Sequence, residues 1–475
     1  MINSIANSKI IGKIKEFFDS KYFPVFIFVL TLLIYALSLD LVGWILLVAF
    51  AVFTNLFCDD LRPILPLATF MPFVVSIKNT PGYGEEGWQG YYTNNAVITT
   101  LFIIGTIVII SFILRPILYK GTFKRIKDSK LILGFLLLIP CYLLAGIFSD
   151  YYDLNNFILG MLMVSCHSVF YFFIFISSKE RQDNFEYLSS VMVLAGLLIA
   201  IEIAFVYILK YQVGTHLTGA WKNEIIIGSL PSNPAGGFIA LTLPYFFYLA
   251  YKNKYGYLYY IMAIICLIGV VFTLSRGALI ISLPVFVLGS AFACIFTKNK
   301  KPLILTVILS VVVIVIALVV LYALGAFEKA FDFYITNQLN DHGRFDIWKE
   351  HLEIFKKDPI FGGSFSANMA LKEKEWIYIS LAHNTLIQIL ASAGIVGFIL
   401  YAFHRYQTAK LFLTNINLEK TVICLSVLVS IGMGLVDPTY FYPQFALVYS
   451  FTLCFAENQK SGTKLKSLLN KGKEL

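Results

Sequence analysis

Two arginines and a histidine carry chemistry in a chain that has little charge elsewhere: Arg276, Arg344 and His383. A guanidinium is a planar fork that grips phosphate oxygens in pairs. An imidazole titrates near neutral pH and can take a proton from a hydroxyl. Together they could hold a phosphate and move a proton. Arg276 lies in Phe272-Thr273-Leu274-Ser275-Arg276-Gly277-Ala278-Leu279, between two apolar runs with essentially no other charge nearby. A guanidinium is costly there, which marks an anion site; the alternative is a side chain that snorkels to lipid headgroups. Gly277 lets the backbone approach a partner. Arg344 opens a helical pattern, at the end where the dipole favours anions over cations. Either it is solvated or paired with Asp341 or Asp346, or it joins the free first-turn amides in holding phosphate. His383, in Leu381-Ala382-His383-Asn384-Thr385-Leu386, is either a cap-region hydrogen-bonder or a base. Asp437, before Pro438 and close to Tyr440 and Tyr442, could orient the histidine, although Asp437-Pro438 also reads as a helix-ending pair.

The elements that must hold these residues are membrane helices. The 475 residues are 58% hydrophobic and only 14% charged, against about 25% charged in soluble domains. Composition therefore excludes a soluble enzyme and predicts one integral membrane domain over 1–475. Roughly fourteen apolar runs approach spanning length: 23–39, 41–57, 62–77, 96–115, 131–148, 154–178, 189–209, 234–251, 257–274, 277–296, 302–324, 383–403, 420–436 and 439–456. Pro63, Pro66 and Pro72 make the third the weakest. Lysine and arginine placement puts both termini in the cytoplasm. Arg115, Lys179, Arg181 and the tail lysines then share that side, and Arg276, the long segment 325–382 and His383 face outward. The formal charge of +9 is thus a topology signal, and no nucleic-acid partner is expected.

Within the outer segment the spacing predicts an amphipathic helix over 344–357, with Phe345, Trp348, Leu352 and Phe355 on its apolar face. Pro359 and Gly362-Gly363 follow it, and Gly394 and Gly397 permit close helix packing beyond His383. The Gly-, Tyr- and Trp-rich loops 83–93 and 213–231 suit an interfacial belt or sugar stacking. The seven cysteines form no CxxC pair and read as core hydrophobes. No HExxH or comparable cluster predicts a metal, and no cofactor is expected. A transporter is the rival class, yet no internal repeat shows. Glu202 is nearly alone in mid-span and is expected to be a hydrogen-bonded core acid.

Several motifs, in order, are familiar. Gly343-Arg344-Phe345-Asp346-Ile347-Trp348, Pro359-Ile360-Phe361-Gly362-Gly363, His383-Asn384-Thr385-Leu386-Ile387-Gln388 and Ala393-Gly394-Ile395-Val396-Gly397 resemble the core of the O-antigen polymerase/O-antigen ligase superfamily. Ser275-Arg276-Gly277-Ala278 resembles its upstream arginine turn, and Ser232-Asn233-Pro234 its Asn/Pro-containing span start. The likeness covers about the C-terminal half. It implies an all-α, polytopic fold similar to the GT-C membrane glycosyltransferases, with one long extracytoplasmic loop. It also implies substrates carried on undecaprenyl diphosphate or a related lipid, at the outer face of the bacterial plasma membrane. Arg276 and Arg344 would hold the donor diphosphate, and His383 would serve the acceptor hydroxyl. Asn233, Asp437 and Tyr440 are candidate acceptor or sugar contacts; Asn233 stands alone where many relatives have Asn-Pro-Asn. The expected activity is metal-independent, inverting polymerisation of lipid-linked repeat units, favoured by a rather short outer loop without an appended domain. The alternatives are a ligase acting on lipid A core or protein, and a flippase of the same carriers. Membrane lipid and a chain-length regulator and flippase of the same pathway are the expected partners.

Overall fold

A computed structural model describes residues 9–75, 94–119, 122–150, 152, 154–210, 219–228, 230–297, 299–323, 344–364, 381–459 and 462–463. Among them the only strands are a two-residue antiparallel pair, Ile226–Ile227 with Leu230–Pro231. Everything else regular is helical, consistent with an all-α membrane protein.

Each of the roughly fourteen apolar runs coincides with a helix. Among the described residues six helices are long and apolar enough to cross a bilayer: Asp40–Phe57, Asn95–Leu118, Asn184–Lys210, Arg276–Phe296, Lys300–Val320 and Thr385–Leu413. A seventh arises if Lys9–Phe18 and Phe23–Leu37, bent by 81°, count as one span. Of the others, Leu154–Ser177 and Ser232–Lys252 have 24 and 21 residues, and several more are short for legible reasons. Run 62–77 folds as Ile64–Phe70 and the 3-10 turn Met71–Val74, because proline removes the amide that would continue the helix. Run 131–148 yields Ile132–Leu143, twelve residues with Pro140 inside, about 18 Å long at 1.5 Å per residue. The loop residues 83–93 lie outside the described residues, as do 211–218 of the second aromatic loop.

The apolar side chains of Lys300–Ala323 are exposed nearly all round, Val311 to Val320 without exception. A helix apolar on every face belongs in a core or in lipid. With no protein around these side chains, lipid is the medium that suits them.

The chain divides into two compact units, one of residues 1–127, 173–317 and 468–475, the other of 128–172 and 318–467. The first is built around Ser232–Lys252, which packs on Asn184–Lys210, Gly256–Phe272 and Arg276–Phe296 and buries Phe238, Tyr245, Phe246 and Tyr248. Two of the cations read as topology signals have structural work here. Arg115 is 1% exposed. Its guanidinium donates to the carbonyls of Asn55 at 2.8 Å, Cys58 at 2.9 Å and Asp59 at 3.2 Å, at the end of Asp40–Phe57. Those carbonyls have no intrahelical donor, so Arg115 caps the helix from a neighbour. Arg181 pairs with Asp60 at 3.2 Å and with Asp19, in a network that also ties Arg62 to Asp19 and Asp183. Glu202 departs from expectation. It is fully buried, yet neither carboxyl oxygen meets a hydrogen-bond partner among the described residues.

In the second unit Ile132–Leu143 packs along Thr385–Leu413, where Cys141 comes to rest against Gly397. Gly397 therefore does allow close packing.

Candidate active site at the His383 turn

Thr385–Leu413 starts sharply because Asn384 caps it: its Oδ1 accepts from Leu386 N–H at 3.0 Å and Ile387 N–H at 3.2 Å. Its Nδ2 donates to the Leu435 carbonyl at 3.0 Å, which ties the helix start to the turn after Leu418–Gly434. Immediately before, His383 has φ +47, a left-handed conformation that disfavours a residue with a Cβ. Ala382 is gripped on both sides. Its N–H donates to Gln388 Oε1 at 2.6 Å, and its carbonyl accepts from Trp348 Nε1 at 2.8 Å. Gln388, buried in an apolar span, is itself fixed by donating to Ser392 Oγ at 3.0 Å. The turn is held from every direction, as a strained site must be to persist.

The held side chain faces an acid. His383 Nδ1 lies 3.8 Å from Asp437 Oδ1; the histidine side chain is 39% exposed and the aspartate 3%. At that distance there is no hydrogen bond, and neither atom has another partner among the described residues. Asp437 is set by its backbone, whose N–H donates to Met433 O at 2.8 Å and whose carbonyl accepts from Thr439 N–H at 2.7 Å. A half-exposed imidazole with a buried carboxylate behind Nδ1 leaves Nε2 to meet a substrate. Such an arrangement can serve as a base and its orienting group, between which apo distances are often long.

Arg344 is the first residue of Arg344–Lys357 and is partly exposed. Among the described residues it forms no ion pair, with Asp346 or any other acid; Asp341 and Gly343 lie outside them. The helix is amphipathic, but its face differs from the expected one. His351 and Ile354 are buried and Ile347 is partly so, whereas Phe345 and Leu352 are exposed. His351 can turn inward because its Nδ1 bonds the Ile347 carbonyl at 2.7 Å. The aromatic residues flank this inward face: Phe345 meets Trp348 edge-on at 5.3 Å, and Trp348 reaches Ala382.

Behind the turn the helix breaks. Gly394 has φ 62 and ψ −161, a region open essentially to glycine alone. The freed groups are taken up by the segment after Lys357. Gly363 and Ser364 donate to Ala391 and Ser392 carbonyls at 2.7 and 3.0 Å, and Ile395 and Val396 donate to Pro359 and Ile360 carbonyls at 2.9 and 3.2 Å. Interrupted backbone at membrane depth survives only when protein satisfies it in this way. A Cβ at Gly394 would stand 2.3 Å from the Ile360 carbonyl oxygen. Gly394→Ala should therefore cost more than the ~1–3 kcal/mol of backbone strain alone, visible as a lowered melting temperature of the detergent-solubilised protein.

Arg276 and Asn233 belong to the first unit. Arg276 opens Arg276–Phe296 behind Ser275, whose Oγ accepts from Ala278 N–H at 3.3 Å. Leu274 before it has φ +57. Gly236 lies against this turn, and a Cβ there would come within 2.7 Å of Thr273 Oγ1 and 2.8 Å of the Ala278 Cβ. Asn233, one turn earlier on Ser232–Lys252, is thus on the helix that adjoins the Arg276 turn. The glycine this approach requires is Gly236. Tyr440 is 5% exposed; its ring stacks on His167 at 4.0 Å and meets Tyr401 edge-on at 5.2 Å. The Arg405 guanidinium lies over the rings of Tyr401, Tyr440 and Tyr449 at 4.8, 5.2 and 4.9 Å. The sequence assigns no role to Arg405 or His167, none to Gln388 beyond its place in a motif, and reads Trp348 only as part of an apolar face. A glutamine inside an apolar run was the available signal for Gln388. Among the described residues no group of three or more His, Cys, Asp or Glu could hold a metal ion.

Residues 261–402 match the family model described as O-antigen ligase. That match supports placing the chain in the O-antigen polymerase/ligase superfamily, whose members are glycosyl-transferring enzymes. The matched stretch contains Arg276, Arg344 and His383; Asn233, Asp437 and Tyr440 lie outside it. Among curated proteins none matches the chain.

Proposed function

We propose that this chain is a membrane glycosyltransferase that polymerises oligosaccharide repeat units carried on a polyprenyl diphosphate. The observation that carries the reading is the His383–Asp437 pair, with His383 on a held turn inside the stretch of O-antigen ligase type and Asp437 beyond it. The acceptor sugar hydroxyl attacks the anomeric carbon of the donor while its proton passes to His383. The bond from that carbon to the diphosphate oxygen breaks, and the electron pair leaves with the polyprenyl diphosphate. Attack from the opposite face inverts the anomeric centre. Asp437 orients the imidazole and balances the charge it acquires. Arg276 and Arg344 neutralise the departing diphosphate, taking the part a metal plays elsewhere. Asn233 and Tyr440 are retained as acceptor or sugar contacts, Tyr440 through the wall of aromatic rings it completes.

The site faces the exterior of a bacterial plasma membrane and both termini the cytoplasm, from the distribution of lysine and arginine. A chain-length regulator and a flippase of the same pathway are its partners. The family's own description favours a second reading, a ligase that moves the finished glycan onto lipid A core or protein. Purified protein given a synthetic lipid-linked repeat unit, with chelator present, distinguishes them. A ladder of products marks a polymerase. A single shift that requires added core lipid or protein marks a ligase. No product in either case, or loss restored by magnesium, overturns the chemistry.

A further inference from the structure

We infer that Trp348 is a positioning residue that joins the Arg344 helix to the His383 turn and holds the imidazole toward Asp437. The inference rests on the function proposed above. Trp348 and Arg344 are four residues apart on one helix and share a face. The Trp348 indole N–H holds the Ala382 carbonyl at 2.8 Å, one residue before His383. On the other side Gln388 holds the Ala382 N–H at 2.6 Å. Between these grips His383 is kept at φ +47. Released, the turn would relax toward right-handed backbone and swing the imidazole away from Asp437.

The far end of the same helix is also anchored. Asp358, just past it, takes a hydrogen bond from Ser149 at 2.6 Å, and Pro359 to Ser364 fill the break at Gly394. A ligand that pulls on Arg344 therefore meets a helix fixed at its C-terminal end. Trp348 is the direct link from this helix to Ala382.

The test uses the full-length purified protein with Trp348→Phe, which keeps an aromatic ring and removes the N–H. Transfer from a lipid-linked repeat unit is measured together with the affinity for farnesyl diphosphate, a short polyprenyl diphosphate. Transfer is expected to fall about 10- to 100-fold, since a misplacement of 1 Å costs on that order, while the Kd changes less than about twofold. In a His383→Ala background Trp348→Phe should cost nothing further. Gln388→Met, which releases Ala382 from the other side, should repeat the pattern should Trp348→Phe fail to fold. Wild-type transfer, an affinity loss equal to the rate loss, or full additivity with His383→Ala would overturn the coupling. Failure of the underlying function looks different: His383→Ala would keep full transfer, or Arg344→Ala full affinity.

Discussion

His383→Ala abolishes chain growth while the protein accumulates in the membrane at its normal level. General-base assistance is worth about 10²–10⁴-fold, and a sugar hydroxyl needs it because its proton must leave during attack. The side chain is 39% exposed, so its removal opens no buried cavity. Alanine at φ +47 bears the same backbone strain as histidine. The loss should therefore appear in rate and not in melting temperature, and the two are separable in one preparation. Asp437→Asn keeps the shape and removes the charge, so it should fall between the wild type and His383→Ala. Polymer of unchanged length from His383→Ala would remove this histidine as the base.

Much of this arrangement was legible in the sequence, and what was missed was missed for physical reasons. Hydrophobic runs located the helices because a span needs apolar residues on every face. They did not give lengths, since prolines such as Pro140 and the Pro63–Pro66–Pro72 series shorten a helix without making its run less apolar. Lysine and arginine counts treat each cation as solvated, whereas Arg115 spends its charge on carbonyls of a neighbouring helix. The 344–357 helix was readable from its period. Its inward face was not, because Phe345 and Leu352 suit lipid as well as protein, and His351 is drawn in by a bond to its own backbone. Gly394 announced a close contact. That the contact is a broken helix filled by Pro359 to Ser364 depends on hydrogen bonds between segments about 30 residues apart, which periodicity does not encode. Asp437 is 54 positions from His383; their proximity follows from Asn384 tying one turn to the other at Leu435.

Arg344→Lys and Arg276→Lys will each slow transfer, Arg344→Ala and Arg276→Ala more so. A lysine keeps the charge but presents a point where arginine presents a fork. The expected loss is on the order of 10- to 100-fold for the lysine variants and 10²–10³-fold for alanine, the scale seen when one group that stabilises developing charge is removed. Arg344 is the cleaner case: it is partly exposed and forms no ion pair among the described residues. Its replacement should leave the melting temperature within the small range of surface substitutions. Arg276 follows a buried Ser275 and a left-handed Leu274, so its variants require the fold control before rates are compared. The double lysine variant then asks whether both arginines serve one ligand. Groups that act as a unit are non-additive; a double variant no slower than the worse single one would mean a shared diphosphate. Strict multiplication would mean two independent anions, and wild-type rates in both single lysine variants would end the clamp altogether.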